Sequence, residues 1–237
     1  MPRSLPVIAA ALFLSLTPPE DTGALLECAR NQRVTLVASQ FESGNVREAA
    51  EQARRDGAAY IWIQVIDQNG ILIIHNAPDE LGHTLPRVAA TGLHLILEPY
   101  GVRAEQIARA VMDAGVSAQT LIVVPDEASG AAVQAIDPGI GLVRTGLTDH
   151  YEVLSSELDQ SRMAAWFEYF PDAHMEYFLA GQGIATIIPD FAFTDTMSAE
   201  DFALVRRQHI EILITDQTED AIAVFGRAED HCRRHPE

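Results

Sequence analysis

Short apolar runs alternate with helical stretches along most of this chain, and this alternation limits the folds open to it. The runs Thr120–Val124 (TLIVV) and Ile210–Thr215 (IEILIT) have no polar face. Strands of this kind suit a parallel sheet that is covered on both sides. The predicted strands are Val34–Ser39, Ala59–Ile66, Leu93–Glu98, Thr120–Val124, Gly141–Arg144, Ala164–Tyr169, Ile184–Pro189 and Ile210–Thr215.

Helical patterns separate these strands. Ser198 before Glu200 and Asp201 is typical of a helix start, because a hydroxyl and early carboxylates stabilise the first turn. The predicted helices are Asn45–Asp56, Leu85–Thr91, Ala104–Ala114, Ala131–Ile136, Tyr151–Leu158, Ala173–Ala180, Ser198–His209 and Thr218–Arg227.

About eight strand–helix units predict an α/β fold, a (β/α)8 TIM-like barrel. An open, doubly wound sheet is the competing arrangement. The chain has 237 residues, a length that one barrel domain can use. No glycine-rich phosphate-binding loop follows a strand, so the sequence gives no support for nucleotide binding.

The segment Gly57–Asn76 (GAAYIWIQVIDQNGILIIHN) contains the clearest turn signal. Asn69-Gly70 lies between two apolar runs, and this dipeptide is typical of a tight hairpin turn. Ile71–His75 is therefore predicted to be a second strand that folds back on the first. The barrel is expected to carry this β-hairpin extension after its second strand.

The formal net charge is −18, and all sixteen basic residues are arginine. A surface this acidic repels nucleic-acid backbones and anionic lipid, so no nucleic-acid partner is expected. The absence of lysine also excludes a lysine Schiff base or phosphate clamp.

The first 24 residues are predicted to be a signal peptide, with residues 25–237 as one barrel domain. Arg3 precedes the apolar run Leu5–Leu16, which is too short to span a bilayer. Thr22 and Ala24 supply small residues for a cleavage site. We expect a periplasmic or secreted protein with no transmembrane segment after signal removal; an apolar N-terminal helix packed on the domain is the alternative.

The two cysteines, Cys28 and Cys232, precede the first strand and follow the last helix. In a closed barrel both points lie near the N-terminal face. A disulfide that joins the two ends is one expectation for an exported protein, and two free thiols is the other.

Four segments resemble glycerophosphodiester phosphodiesterases in order and spacing. The family's Ala-His-Arg-Gly strand end is replaced here by residues 37–40 (VASQ), and the hairpin Gly57–Asn76 matches its second strand and following turn. Residues 95–100 (LILEPY) and 212–216 (ILITD) resemble its Ile-Glu-x-Lys and Ile-Ile-Thr-Asp strand ends. The resemblance runs from about Val34 to Phe225 and implies the barrel fold.

The resemblance also implies a chemistry. Three strand-end carboxylates hold a divalent cation, Ca²⁺ or Mg²⁺, against the phosphate, and two histidines act as acid and base. A small phosphodiester-like ligand would bind at the C-terminal mouth of the barrel. This chain keeps few of those groups.

Carried over residue by residue, the family's catalytic histidines map to Ser39 and Asn76, with His75 one position before the latter. Glu98 is the one metal-binding carboxylate that stays in register. A one-residue shift turns a strand side chain to the opposite face, so His75 requires a bulge to serve. The remaining family positions are predicted to line a ligand pocket, and they hold Gln40, Trp62, Gln64 and Tyr100.

Other residues that could bind a metal or a ligand are more simply explained as solvated or core residues. The polar tail with His231, Cys232 and His235 has a metal-like pattern but is expected to be solvated. The aromatic residues in or near strands could line a ligand pocket, but packing in the core is the simpler expectation for them; they are Trp62, Trp166, Phe167, Tyr169 and Phe170. Loop acids that could rebuild a site, but that are more simply solvated, are Asp67, Asp79, Glu80, Asp190 and Asp216.

Three functions follow from this pattern. The first is a phosphodiesterase-like barrel with a degenerate or weakly active site. The second is a working metal-dependent enzyme with relocated groups, in which Glu98, Gln64 and Asp67 surround the metal and His75 transfers the proton. The third is a structural or interaction protein, a non-catalytic binding or interaction barrel whose mouth is filled by its own side chains, Trp62 above all.

Overall fold

The computed structural model describes residues 21–193 and 196–232, and these residues form a closed barrel. Eight parallel strands follow one another around the ring, and pairing of the first strand with the last and with the second closes it. A ninth strand pairs antiparallel with the second, outside the ring. The predicted TIM-like barrel with its hairpin extension is therefore confirmed, and the open sheet is excluded.

The strands are short, and each ring strand is followed by a helix before the chain enters the next. Their bounds are β1 Leu36–Gln40, β2 Tyr60–Gln68, β3 Ile71–Ile74, β4 His94–Pro99, β5 Thr120–Val124, β6 Gly141–Arg144, β7 Met163–Trp166, β8 Ala185–Pro189 and β9 Ile212–Thr215.

The helices cover the outside of the ring, with one more at each chain end. Their bounds are α1 Thr22–Gln32, α2 Val46–Asp56, α3 Leu81–Ala89, α4 Ala104–Asp113, α5 Glu127–Ile136, α6 His150–Leu154, α7 Ala173–Gln182, α8 Ala199–Arg207, α9 Thr218–Phe225 and α10 Ala228–Cys232.

Strand alternation divides the core into two layers. Side chains at every second strand position pack inside the ring, as Ala38 and Ile96 do, and the intervening ones, such as Val37 and Leu97, pack against the helices. Because both faces are buried, the strands need apolar residues at successive positions. This two-sided burial explains the continuous apolar runs of the sequence.

The hairpin turn has the conformation that its sequence predicts. Asn69 and Gly70 both have positive φ, 58° and 86°, as a two-residue hairpin turn requires. The Asp67 carboxylate accepts a hydrogen bond from the Gly70 amide at 2.7 Å. Asp67 therefore lies at the exposed hairpin tip, where it stabilises the turn.

Helix α1 lies at the N-terminal end of the barrel. Thr22 is buried and its Oγ1 lies 2.8 Å from Nδ1 of His94, while Asp21 pairs with Arg162. Cys28 forms a disulfide with Cys232, with the two Cα atoms 5.7 Å apart. Of the two expectations for the cysteines, the structure has the disulfide.

The C-terminal segment differs from the solvated tail that the sequence suggested. Residues 228–232 form α10, Cys232 is buried, and His231 Nε2 lies 3.2 Å from the Phe225 carbonyl oxygen. The disulfide and the packing of α10 against α1 order a segment whose sequence is polar. His235 lies outside the described residues, as does the apolar run Leu5–Leu16 of the predicted signal peptide.

Three helix predictions were displaced. The helices predicted at Leu85–Thr91 and Ala131–Ile136 each begin four residues earlier, at Leu81 and Glu127, and the one predicted at Tyr151–Leu158 ends at Leu154. The Ser156 hydroxyl donates to the Glu127 carboxylate, and this contact draws the chain away from the helix axis. Within the described residues, none of the helices is long and apolar enough to cross a bilayer.

Candidate functional site

The C-terminal ends of the ring strands bring together several of the predicted site residues. Ala38, Trp62 and Ile96 point into the ring, so Gln40, Gln64 and Glu98, two positions later in the same strands, point into its mouth. Gln40 is paired in register with Trp62, and Gln64 with Glu98. Parallel strands thus place these polar side chains side by side.

Gln64 and Glu98 contact each other directly. The Gln64 amide Nε2 donates to the Glu98 carboxylate at 3.2 Å. Burial raises the pKa of the Glu98 carboxyl, the hydrogen bond from Gln64 and the nearby polar N–H of the Trp62 indole lower it in part, and the negative charge of Glu168 raises it further. No cation contributes to this balance, so the carboxylate at the mouth is not compensated by a positive charge.

Two tryptophans occupy the ring just below this carboxylate. Trp62 and Trp166 are 6% and 7% exposed, and their ring centroids are 6.1 Å apart. The Trp62 Nε1 atom is buried and its approach to Glu98 falls short of regular hydrogen-bond geometry, although the indole dipole still acts on that carboxylate. The indoles fill the space that an open, metal-binding mouth would need.

Phe191 continues this aromatic row outward. Its ring centroid lies 6.3 Å from that of Trp166, and its side chain is 55% exposed. Tyr100 and Tyr169 follow β4 and β7 and are also exposed, at 58% and 62%. The mouth therefore has a buried aromatic floor and an exposed aromatic rim.

A second pair of acids lies at the ends of β8 and β9. The Asp190 carboxylate accepts a hydrogen bond from the Asp216 amide at 3.0 Å. Burial and the nearby Asp216 raise the pKa of Asp190, while hydrogen bonds from Thr215 and the Asp216 amide lower it in part. The sequence predicts a solvated loop acid at Asp190 and a cap of the last helix or a loop-stabilising role for Asp216, and in the structure the Asp190 carboxylate contacts the Asp216 backbone.

His75 lies immediately beyond β3 and on the Gln64 side of the hairpin. Val65 pairs with Ile74, so the next pair along the ladder is Gln64 with His75, and the His75 amide donates to the Gln64 carbonyl at 2.9 Å. The imidazole packs on Tyr100, with ring centroids 5.3 Å apart. Asn76 follows with a left-handed φ of 61° and an exposed side chain.

Ser39 is separated from this group. Strand alternation turns its side chain towards the helices, where its Oγ accepts a hydrogen bond from the Thr218 hydroxyl at 3.0 Å. The structure thus brings together Gln64, Glu98 and Trp62, with His75 and Tyr100 beside them. It places Ser39 on the opposite face of β1 from Gln40.

The divalent cation implied by the resemblance does not fit these side chains. Ca²⁺ and Mg²⁺ need several charged oxygen ligands, and Glu98 is hydrogen-bonded to an amide where a second carboxylate would be required. Asp67, a ligand in one hypothesis, lies at the hairpin tip. In the part of the chain that the structure describes, no three histidine, cysteine or acidic side chains form a group able to hold a metal ion.

Few positive charges face the mouth. Among the described residues at the C-terminal ends of the ring strands and in the loops that follow, Arg103 and Arg144 are the two arginines. Arg144 lies on the helix-facing side of β6, 4.0 Å from Glu152, and Arg103 is exposed at the start of α4. By contrast, Glu98, Glu168, Asp190 and Asp216 are acids at this end that cap none of the helices.

The fold and its mouth are those of a (β/α)8 barrel with a hairpin after its second strand. Comparison with solved structures finds glycerophosphodiester phosphodiesterases among its neighbours. One from Parabacteroides distasonis has a TM-score of 0.71 and 14% identity, covering 86% of this chain and 91% of its own. One from Agrobacterium tumefaciens has a TM-score of 0.61 and 12% identity, covering 80% and 99%.

Barrels of another class are also similar. A dihydropteroate synthase from Xanthomonas albilineans has a TM-score of 0.55 and 14% identity, covering 82% of this chain and 92% of its own. No family model and no curated protein sequence matches the chain. The likeness is therefore one of fold, and at that level it confirms the resemblance to glycerophosphodiester phosphodiesterases.

Sequence reasoning missed part of this site. The sequence offered Trp166 as a pocket residue but favoured core packing for it, and it singled out neither Phe191 nor Glu168. Glu168 lies two residues after Trp166, and this spacing of two in a strand is the signal that could have placed both on one face. Phe191 follows β8 in a short 3-10 turn, Asp190–Ala192, and only its contact with Trp166 reveals its place.

Proposed function

We propose that this protein is a relative of the glycerophosphodiester phosphodiesterases that has lost metal-dependent hydrolysis and binds a small ligand at its C-terminal mouth. One observation carries the proposal. Trp62 and Gln64 stand where the family's resemblance implies two metal-binding carboxylates, and Trp62 packs against Trp166 across the ring. An indole supplies no oxygen ligand and takes up the volume of the metal and phosphate.

The test is a panel of glycerophosphodiesters incubated with Ca²⁺, Mg²⁺ or EDTA, with wild type compared with Glu98→Gln. We expect no turnover above background and no metal-dependent rise in the melting temperature. EDTA-sensitive hydrolysis that Glu98→Gln abolishes would overturn the proposal.

A double variant, Trp62→Glu with Gln64→Asp, restores the two carboxylates. It is expected to gain metal binding, measured by calorimetry, because three charged oxygens would then face the mouth. Trp166→Leu is the matched control, since it removes an indole from the same floor and adds no ligand.

A working enzyme with relocated groups is the second candidate, and the hairpin register favours it. His75 shares the Gln64 side of the hairpin, so a general acid or base could act near Glu98 without the bulge that the sequence seemed to require. Metal-independent turnover lost in His75→Gln but retained in Asn76→Ala would support this candidate over the first.

Export is a further part of the proposal. A disulfide between Cys28 and Cys232 suits the periplasm or the extracellular space. Cleavage after Ala24 would remove the contacts of Asp21 with Arg162 and of Thr22 with His94. N-terminal sequencing of the exported protein tests the boundary, and retention of the whole chain in the cytoplasm would contradict export.

A further inference from the structure

A cleft opens at the N-terminal end of the barrel, on the opposite side of the ring from the mouth. Its volume is about 1040 Å³, near the upper end of the range of roughly 300–1000 Å³ that is usual for ligand sites. Helices α1 and α7 form its walls, and residues at the starts of β8 and β9, Thr186 and Glu211 among them, form its floor. The disulfide from Cys28 to Cys232 anchors the α1 wall to the rest of the domain.

The α1 wall carries a guanidinium without a close partner. Glu27 and Arg30 lie one turn apart on the side of α1 that lines the cleft. Arg30 is half-buried, and within the described residues its guanidinium makes no hydrogen bond or ion pair, with Nη1 buried. Burial lowers the pKa of Arg30, and the negative charges of Glu211 and Glu27 offset this only in part. Arg162, in the same cleft, is by contrast paired with Asp21.

Two carboxylates lie across the cleft from Arg30, Glu176 on α7 and Glu211 just before β9. The Thr186 amide donates to Glu211 Oε2 at 2.7 Å, and the Thr186 hydroxyl donates to the same oxygen. Burial raises the pKa of both carboxyls. His209 lowers the pKa of Glu176 in part and Glu211 raises it, whereas the Thr186 hydrogen bonds and Arg30 lower the pKa of Glu211 in part.

From this arrangement we propose that the cleft binds a small zwitterion, a free α-amino acid, with its carboxylate on Arg30 and its ammonium towards Glu176 and Glu211. A guanidinium can hold a carboxylate through two parallel N–H donors. Arg30 and Glu211 influence each other's charge but are too far apart for a direct ion pair, which leaves space for ligand groups between them.

The balance of charge favours a zwitterion over a simple ion. Burial disfavours the charged form of Arg30 and of both carboxylates, and a ligand that brings the opposite charge to each wall offsets this cost. The two acids would repel an anion such as free phosphate, and Arg30 would repel a simple amine.

The remainder of the α7 wall suits an apolar side chain. Ala173, Tyr177 and Ala180 line the cleft beside Glu176, at the spacing of one helix face. Tyr177 is 83% exposed, so its ring has apolar area to bury against a ligand. L-leucine is therefore the first probe, and L-alanine and L-phenylalanine are the smaller and larger ones.

Titration calorimetry and thermal melting of the full chain test the proposal. For leucine, 4-methylpentanoate lacks only the ammonium group and 3-methylbutylamine lacks only the carboxylate; the other two amino acids have corresponding analogues. We expect saturable binding of at least one amino acid, and binding of its two single-charge analogues that is at least about tenfold weaker. The proposal is overturned if none of the three amino acids binds or raises the melting temperature, or if an analogue binds equally well.

Variants locate the binding in the cleft. Arg30→Gln and Glu176→Gln are each expected to weaken amino-acid binding by about tenfold. Arg109→Gln is the matched control, because it removes the same charge from an exposed position of α4 outside the cleft. Glu176 makes no side-chain hydrogen bond among the described residues, so Glu176→Gln should melt cooperatively and remain informative even if Arg30→Gln does not fold. Full affinity in Glu176→Gln, or an equal loss in Arg109→Gln, would contradict the site.

The cleft and the mouth are tested independently. Hydrolysis of glycerophosphodiesters would overturn the proposed loss of catalysis and leave the amino-acid site standing, and absence of amino-acid binding would do the reverse. Arg30, Glu176 and Glu211 all follow Ala24, so the proposed signal cleavage retains the three groups on which the site depends.

Discussion

His94 illustrates how much a single buried side chain depends on its partners. It begins β4 at the N-terminal end of the barrel, 5% exposed, with Nδ1 at 2.8 Å from the Thr22 hydroxyl and its ring edge-on to Tyr60. Burial lowers the pKa of His94 to about 4, and the charge of Asp21 offsets this only in part. The native state therefore holds this histidine neutral.

This neutrality predicts a pH-dependent stability. Between about pH 6.5 and 4 the unfolded chain takes up a proton at His94 and the folded chain does not, so the free energy of unfolding falls as the pH falls. The loss attributable to His94 should reach about 3 kcal/mol at the lower limit. Urea unfolding of wild type and His94→Gln across this range measures it, and equal slopes for the two would contradict it.

Glu98 changes the free energy of unfolding with pH in the opposite direction to His94. Burial and Glu168 raise its pKa, so the folded state holds a proton at pH values where the unfolded state has released it. Its contribution to stability is present at low pH and is lost as the pH rises through the raised pKa. In urea titrations, Glu98→Gln should flatten this decline of the unfolding free energy with rising pH, and Glu168→Gln should reduce it in part. A steeper decline in Glu98→Gln would contradict the prediction.

At the scale of elements, the β2–β3 hairpin was the most predictable feature. Asn-Gly specifies its turn locally, because both residues tolerate positive φ. The same hairpin also determines where His75 lies. Its position depends on the register in which β2 pairs with β3, and the sequence did not specify that register. Pairing of Val65 with Ile74 brings His75 to the Gln64 side, so the bulge required in the sequence prediction is not needed.

The turn can be tested with a matched pair of glycines. Gly70 has φ +86° and Gly82, in α3, has an ordinary φ, and neither has an atom within 4 Å of an added Cβ. Gly70→Ala should lower the free energy of unfolding by about 1 kcal/mol, since only backbone strain changes. Gly82→Ala should raise it by about 0.5–1 kcal/mol, because alanine favours the helix.

Thermal unfolding of both variants provides the measurement. A destabilised Gly82→Ala, or a Gly70→Ala variant as stable as wild type, would show that the two backbone conformations differ from those described.

At the scale of the whole molecule, the disulfide joins the two ends of the domain. It links α1 to α10 across 204 residues of sequence. In the loop-entropy model a link of this length stabilises by about 5 kcal/mol, an upper figure because residual structure in the unfolded chain reduces it. The closed ring brings the two ends to one face, so the bridge costs little in native geometry.

A Cys28→Ser, Cys232→Ser double variant should lose about 2–5 kcal/mol of unfolding free energy in guanidinium, and wild type with reductant should match it. Hydrogen exchange should rise first in α1, because that helix lies at the end of the barrel and carries the bridge. Two alkylatable thiols in unreduced wild type would rule the bridge out.

The sequence by itself determined the barrel, the hairpin and most strand positions, because these depend on local apolar runs and turn residues. It also identified Gln64 and Glu98 as neighbours through strand-end motifs. It could not place Trp166, Phe191 or Glu168 at the mouth, nor turn Ser39 away from it. Those outcomes depend on strand register and on contacts between residues far apart in sequence, and only the closed ring sets both.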